Sequence, residues 1–326
     1  MNKTAIEWTH RPGTTGMTWN PIHAKNSADP KKRTGNFCTK VSPGCTHCYA
    51  ARINIVRGNG LDYTVPNLAK ANFYLDENEL AAPVRRQDPA TIFVGDMFDL
   101  FHDAIPDAYI AQVLRVAFKT PRHTFQFLTK RARRMRKLIT AAVNQWGPMP
   151  AHLWFGVSAE DCQRAEERIP ELQQTPCALR FVSIEPQLEE IPTYFETPEV
   201  GPMSWLVPFE GTDPDIPAID WVICGGESGP GARPFSLKWA QLLMEDCRAA
   251  KVAFFMKQVG ACPVQEESEW KIKPVLLSCA NRHRAPAGFV PLKTYDPKGG
   301  QPAEWPEYLR VREFPTVKEA PANVLV

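Results

Sequence analysis

Three of the nine cysteines fall within eleven residues, at Cys38, Cys45 and Cys48, in the stretch 35–51, GNFCTKVSPGCTHCYAA. The last two form a C-x-x-C, which lets two thiolates converge on one centre from a tight loop. Ser42, Pro43 and Gly44 are turn formers that fold Cys38 back toward that pair. Structural zinc takes four ligands, and ferredoxin-type clusters take four cysteines. Three thiolates without an obvious fourth therefore suit an iron–sulfur cluster with one iron left open to a small molecule. His47, inside the C-x-x-C, offers a Cys3His zinc site instead, although neighbouring side chains in so short a loop diverge. Reduced bystander thiols are the third reading, and spacing alone leaves all three open.

A second chemistry-bearing stretch is basic. Residues 129–137 read TKRARRMRK. Lys130, Arg131, Arg133 and Arg134, with Arg233 and Lys257, are candidate contacts to the phosphates of a polynucleotide. The alternative is a solvated helix face plus a rim ion pair with Glu185 or Glu227. Lys31, Lys32 and Arg33 invite the same choice between solvated loop and nucleic-acid contact. Phe98, Phe101 and Trp154 are either base-stacking platforms or core.

These residues need a scaffold, and the chain alternates strand and helix signals. Short apolar, β-branched runs at 17–22, 91–95, 123–128, 152–157, 179–183, 221–224 and 252–257 alternate with helical patterns at 49–56, 107–118, 133–146, 159–172 and 236–250. A further helix is predicted over 77–86. Such alternation means parallel βα units with strands buried on both faces. No G-x-G-x-x-G follows the first strand, so a dinucleotide fold has no support. The expectation is an α/β fold, a partial (βα)6-like TIM barrel over residues 1–261, with an irregular C-terminal extension over 262–326. Polar insertions are expected at 23–36 and at 187–218, the latter too long for an ordinary connection. Nearly every strand ends in polar residues, which in a barrel gather at one rim. Helix capping explains one or two of them but less well a whole series.

Trp19-Asn20-Pro21, the spacing Cys38-x6-Cys45-x2-Cys48-Tyr49-Ala50, and then GDMFDLFH (95–102), FLTKR (127–131), FGVSAED (155–161), SIEP (183–186) and CGGESGPGARP (224–234) occur in that order. This series resembles a phage and prophage three-cysteine family within the radical S-adenosylmethionine (SAM) superfamily. Two features depart from the common superfamily loop: six residues rather than three separate the first two cysteines, and 23–36 is inserted ahead of Cys38. The resemblance implies that Cys38, Cys45 and Cys48 hold a four-iron–four-sulfur cluster whose open iron chelates SAM. Reductive cleavage would then give methionine and a 5′-deoxyadenosyl radical that takes hydrogen from substrate.

The same resemblance places Tyr49 near the adenine, with a core aromatic as the alternative. Their position just past strand ends makes Asp96, Asp99, Ser158, Glu160, Gly225, Gly226 and Glu227 the candidates for the rest of SAM, carboxylates suiting the ammonium and ribose hydroxyls and glycines a close backbone approach. Glu185 is either a substrate base or a salt-bridge partner, and Lys130 is placed with it as a catalytic candidate. Members of the resembling family are associated with thymidine hypermodification in phage DNA. The implied reaction is a radical isomerisation that moves a glycinyl group from nitrogen to carbon on the base. The partners implied are a modified thymidine in DNA and a one-electron donor such as flavodoxin or ferredoxin. Another radical SAM substrate (RNA, a peptide or a DNA lesion) is one alternative, and a zinc-stabilised nucleic-acid-binding module another.

Composition bounds these readings. The net charge of +2 argues against a polyanion-wrapping tail but not against a local basic groove. No run approaches the ~18 apolar residues that span a bilayer. The opening residues MNKTAIEWTH contain no apolar core of a secretory signal. Cysteines in a chain without export are expected to be thiols or metal ligands in a cytoplasmic setting.

Overall fold

The computed structural model describes residues 1–197, 201–206, 218–266 and 288–316. Cys279, residues 207–217 of the long insertion, and 267–287 and 317–326 of the expected extension lie outside the described residues. The chain forms two compact units, one built from 1–157, 174–180 and Thr316, the other from 158–173 and the described part of 181–315.

In the first unit β1 (Asn2–Lys3) pairs antiparallel with β2 (Thr15–Trp19). Asn20 and Pro21 end β2, and Ile22 opens a separate strand, β3 (Ile22–Asn26), so the expected strand at 17–22 is in fact two strand segments. The segment 23–36, expected to be a polar loop, instead begins in β3, which pairs antiparallel with β4 (Ala71–Leu75). Between them lie the cysteine loop, α1 (Tyr49–Arg57) and the short α2 (Val65–Leu68). The single helix expected over 77–86 is broken at Ala81 into α3 (Glu77–Leu80) and α4 (Ala82–Arg85). Pro83 has no N–H with which to continue the first helix. Then come β5 (Ala90–Val94), α5 (Asp107–Phe118), β6 (Thr124–Thr129), α6 (Ala132–Trp146) and β7 (Leu153–Ser158). Helix α6 buries Ala132, Met135, Ile139 and Ala142, one stripe at helical spacing.

The second unit holds α7 (Cys162–Gln173), β8 (Leu179–Ile184), the hairpin β9 (Tyr194–Thr197) with β10 (Gly201–Ser204), and β11 (Trp221–Gly225). It continues through β12 (Phe235–Ser236), α8 (Leu237–Ala249), β13 (Ala253–Gln258), β14 (Pro263–Glu266) and β15 (Phe289–Pro291). Helix α7 starts later than expected because Asp161 accepts the Arg164 N–H at 2.8 Å and so caps it. The described part of 262–326 is more regular than expected. β14 pairs parallel with β12 and antiparallel with β15, and Val311 and Glu313 hydrogen-bond to Met256 and Phe254 of β13. That pairing covers an edge strand that would otherwise offer open N–H and C=O groups.

Eight strands share one sheet in the order β1-β2-β5-β6-β7-β8-β11-β13. The pairs β2–β5, β5–β6, β6–β7, β8–β11 and β11–β13 are parallel. With helices in most of the crossovers and the β9–β10 hairpin in that from β8 to β11, this is the strand order of a partial α/β barrel, as the alternating signals predict. Among the described residues no helix is long and apolar enough to cross a membrane.

Candidate functional site: the cysteine loop and its supports

The cysteine loop is held at its base by three buried asparagines. Asn36 donates to Ile22 O at 2.8 Å, and its own N–H reaches Asn54 Oδ1 at 3.1 Å. Asn54 donates to Asn59 Oδ1 at 2.6 Å and Leu61 O at 2.8 Å. Asn59 in turn donates to Ala24 O and Asn36 O. Strand β3, the entry to the loop and the exit of α1 are thereby joined through side-chain amides, each bond worth about 1 kcal/mol net. Gly35 is required here: a β-carbon would sit 2.2 Å from Asn54 Oδ1 and 2.6 Å from the Asn59 nitrogen.

The thiols occupy a half-apolar setting. Cys38 and Cys48 pack against the buried cluster of Ala24, Phe37, Ala50, Ala51, Leu61 and Tyr63. Cys48 is the N-cap of α1, and burial pushes its thiol up while the N–H groups of Ala51 and Ala50 draw it down. Burial also pushes the Cys38 thiol up to about 12, against the pull of Arg131. Cys45 lies within electrostatic reach of both other thiols, and its Sγ is 3.9 Å from Ser42 Oγ. The Lys130 ammonium acts on Cys48 in the opposite sense.

Arg131 is the main support of the first cysteine. Its side chain is only 7% exposed, and it donates to Asp99 Oδ2 at 2.9 Å, Thr39 Oγ1 at 2.9 Å and Cys38 Sγ at 3.7 Å. Asp99 also accepts from Thr129 Oγ1 at 2.7 Å and from the N–H groups of Phe101 and Lys130. Burial alone would raise the Asp99 carboxyl, but Arg131 and these donors outweigh it and hold it below the usual range. His102 Nδ1 accepts the Ala104 N–H at 3.1 Å, so the ring proton sits on Nε2 and is donated to Thr39 Oγ1 at 2.9 Å. Burial, with Arg131 nearby, brings His102 down to about 4, consistent with a neutral ring.

Asp96 stands at the end of β5, after Gly95 at φ +81°. One of its oxygens takes the Asn20 amide at 2.6 Å, and its backbone carbonyl takes the Tyr49 hydroxyl, also at 2.6 Å. Burial raises the Asp96 carboxyl against the hydrogen bonds from Asn20 and Thr18. Cys38, Cys45, Cys48, Tyr49, Asp96, Asp99, Lys130 and Arg131 thus all belong to one part of the first unit. Arg134 lies lower on α6, donating to the His102 and Ile105 carbonyls and to Asp107 at 2.5 Å, while Arg133 is exposed.

The candidates of the second unit form pairs of their own. Glu160 is fully buried against Arg168 at 3.0 Å, and Arg168 also donates to Ser158 O. Glu227 takes Arg233 through Nη2 at 2.6 Å and Nε at 3.0 Å. Glu185, at the end of β8, takes Lys257 at 2.6 Å and Gln258 at 3.2 Å. Gly225 is a close-packing position, with Gln258 O at 3.3 Å from where a β-carbon would stand, and at Gly226 Val259 O would be 2.5 Å away. The glycines are thus explained by backbone packing, and four of the six candidate phosphate contacts, Arg131, Arg134, Arg233 and Lys257, are engaged with carboxylates.

Among the described residues no group of three or more His, Cys, Asp or Glu side chains is gathered as one that could hold a metal ion. A cluster binds each cysteine to a different iron. Three soft donors from one loop, two of them backed by apolar side chains and one beside a fixed guanidinium, are a donor set that fits it. The sequence reading did not single out Thr39, His102, Asn36, Asn54 and Asn59 as supports, although Asn20 and His102 sit inside quoted motifs.

The chain belongs to the DUF5131 family, described as "protein of unknown function", whose family model matches residues 3–287. No curated protein and no solved structure matches the chain.

Proposed function

We propose that the protein is a radical SAM enzyme, with Cys38, Cys45 and Cys48 as the ligands of a four-iron–four-sulfur cluster. The observation that carries this reading is the placement of all three cysteines in one loop beside Tyr49 and Asp96, over the buried Asp99–Arg131 pair. When bound, such a cluster supplies the electron that cleaves SAM to a 5′-deoxyadenosyl radical. The chain's own part is binding and orientation. Asp96, which takes the Asn20 amide and the Thr18 hydroxyl, is the carboxylate nearest the loop for an ammonium or ribose hydroxyl, and Tyr49 is fixed through its hydroxyl for contact with the adenine. Asp99 has both oxygens filled from within the protein, so its role is support rather than direct SAM contact. Glu185, held by Lys257, is the proposed substrate base.

For the substrate we propose a modified thymidine within DNA, rearranged from nitrogen to carbon attachment of its glycinyl group. The motif series supports this, and so does charge. Between Asp29 and Asp62 the chain carries Lys31, Lys32, Arg33, Lys40, Arg52 and Arg57, with no acidic residue. All six are exposed, and the cysteine loop lies among them in the chain. Arg131 and Arg134 are tied up inside, so the phosphate contacts shift from those two to this stretch.

Two measurements test these readings. Anaerobically purified protein is expected to be brown, with a broad band near ~400 nm, and to release 5′-deoxyadenosine when given SAM and dithionite. Colourless protein carrying zinc would end the radical reading. DNA affinity is expected to fall with salt at a log–log slope of about −0.7 to −0.9 per phosphate neutralised. Replacing Lys31, Lys32 and Arg52 by glutamine is expected to flatten that slope. A salt-independent affinity would move the substrate from DNA to a small molecule and leave the cysteine chemistry standing.

A further inference from the structure

Arg131 has more bonds into the cysteine loop than a phosphate contact would need. Its guanidinium is nearly buried and hydrogen-bonds three residues, the Cys38 sulfur at 3.7 Å, the Thr39 hydroxyl at 2.9 Å and the Asp99 carboxylate at 2.9 Å, while the exposed Asp103 carboxylate stands 3.5 Å from Nε. None of the three is free to wander. Thr39 Oγ1 also receives the proton of His102 Nε2, and Asp99 is pinned by Thr129 and by the Phe101 and Lys130 N–H groups. The cation and the anion therefore stand in fixed order, guanidinium against the sulfur and carboxylate behind it. Phe37 and Phe73 lie edge-on and tilted to His102, which closes the back of the network with apolar surface.

We infer that Arg131 and Asp99 are a matched pair of positioning residues that sets the reduction potential of the group held by Cys38. The inference rests on the iron–sulfur reading above and goes beyond it in assigning the control of potential. A hydrogen bond to a ligating sulfur and a nearby positive charge both favour the more negative, reduced state, so Arg131 raises the potential. Asp99 opposes it from one bond further away, while the Thr39 hydroxyl and carbonyl keep the guanidinium aimed at the sulfur. Because the pair is shielded from water, each charge acts with less screening than at the surface. Removing the two members must therefore move the potential in opposite directions, which loss of packing alone would not do.

The test is redox titration of reconstituted wild-type, Arg131→Gln, Arg131→Lys and Asp99→Asn proteins, followed by electron paramagnetic resonance, with iron content measured in each. Arg131→Gln is expected to make reduction about tenfold less favourable, which is ~59 mV for one electron. Arg131→Lys is expected to recover most of that shift, since it restores the charge but not the fork of donors. Asp99→Asn is expected to shift the equilibrium the other way. Iron-loaded variants that all shift in one direction, or by less than about twofold, would overturn the inference while leaving the iron site intact. Should Arg131→Gln fail to fold, Asp99→Asn decides alone: a raised potential supports the pair, and an unchanged or lowered one removes it. A wild-type chain that holds no iron fails at the earlier step and takes both readings with it.

Discussion

Cys38→Ala, Cys45→Ala and Cys48→Ala proteins, reconstituted without oxygen, are each expected to retain no bound iron, a complete loss rather than a weakened affinity. A site held at three points has no spare thiolate, and no fourth cysteine is offered by the loop. Three of the other five described cysteines donate hydrogen bonds elsewhere. Cys162 Sγ donates to Glu190 O at 3.2 Å, Cys177 to Leu179 O at 3.5 Å and Cys224 to Gln187 Oε1 at 3.3 Å. Burial raises the thiols of Cys162, Cys224 and Cys247, which disfavours the thiolate that a metal needs. Alanine at Cys162, Cys177, Cys224, Cys247 or Cys262 is therefore expected to leave iron content unchanged. His47→Ala separates the remaining alternative, because a Cys3His zinc site would lose its metal and a three-cysteine cluster would not. Iron and zinc counted per chain settle each case, and loss of iron from any one of those five variants would sink the three-cysteine site.

The parts of this site that were legible in the sequence are those written in residue type and local spacing. The C-x-x-C, the turn at 42–44 and the strand ending ahead of Asp96 can each be read from a few neighbouring residues. Helix α5 spans the predicted 107–118 because its apolar stripe and its first acidic residue agree. Arg131 was legible as a charged residue at a strand end, but not as a partner of Cys38, ninety-three positions earlier in the chain. Basic residues in a run look alike until the fold decides which one turns inward. The three asparagines show the same limit. Asn59, between two glycines, reads as a turn, and only the folded backbone reveals that its amide bonds to β3. The break at Ala81 was missed for a local reason, since Pro83 was in plain view and its missing N–H should have ended the predicted helix.

Glu160 shows how far a rim position can mislead, and it yields the largest expected change in stability. It stands two residues past β7, where a barrel would display a cofactor ligand, yet its side chain is 0% exposed and Arg168, nearly two turns into α7, is 6% exposed. The two meet at 3.0 Å, and the same guanidinium nitrogen donates to Ser158 O at 2.7 Å. Glu160→Ala leaves that guanidinium buried without its counter-charge, and the expected cost is about 3–5 kcal/mol in chemical denaturation. Replacing both residues by methionine removes the two desolvation costs together, so Glu160→Met with Arg168→Met is expected to recover most of the loss. The coupling then appears as a double-mutant term well above the ~0.5 kcal/mol seen for independent sites. Lys40→Ala is the control. Its partner Asp62 is 3.4 Å away and both side chains are more than a third exposed, so the change is expected to stay within about 1 kcal/mol. If Glu160 instead holds SAM, Glu160→Ala would unfold at the wild-type denaturant midpoint and lose SAM affinity, and the double variant would recover nothing. A destabilised single variant whose partner substitution restores the midpoint assigns Glu160 to the scaffold and leaves Asp96 as the carboxylate for the cofactor.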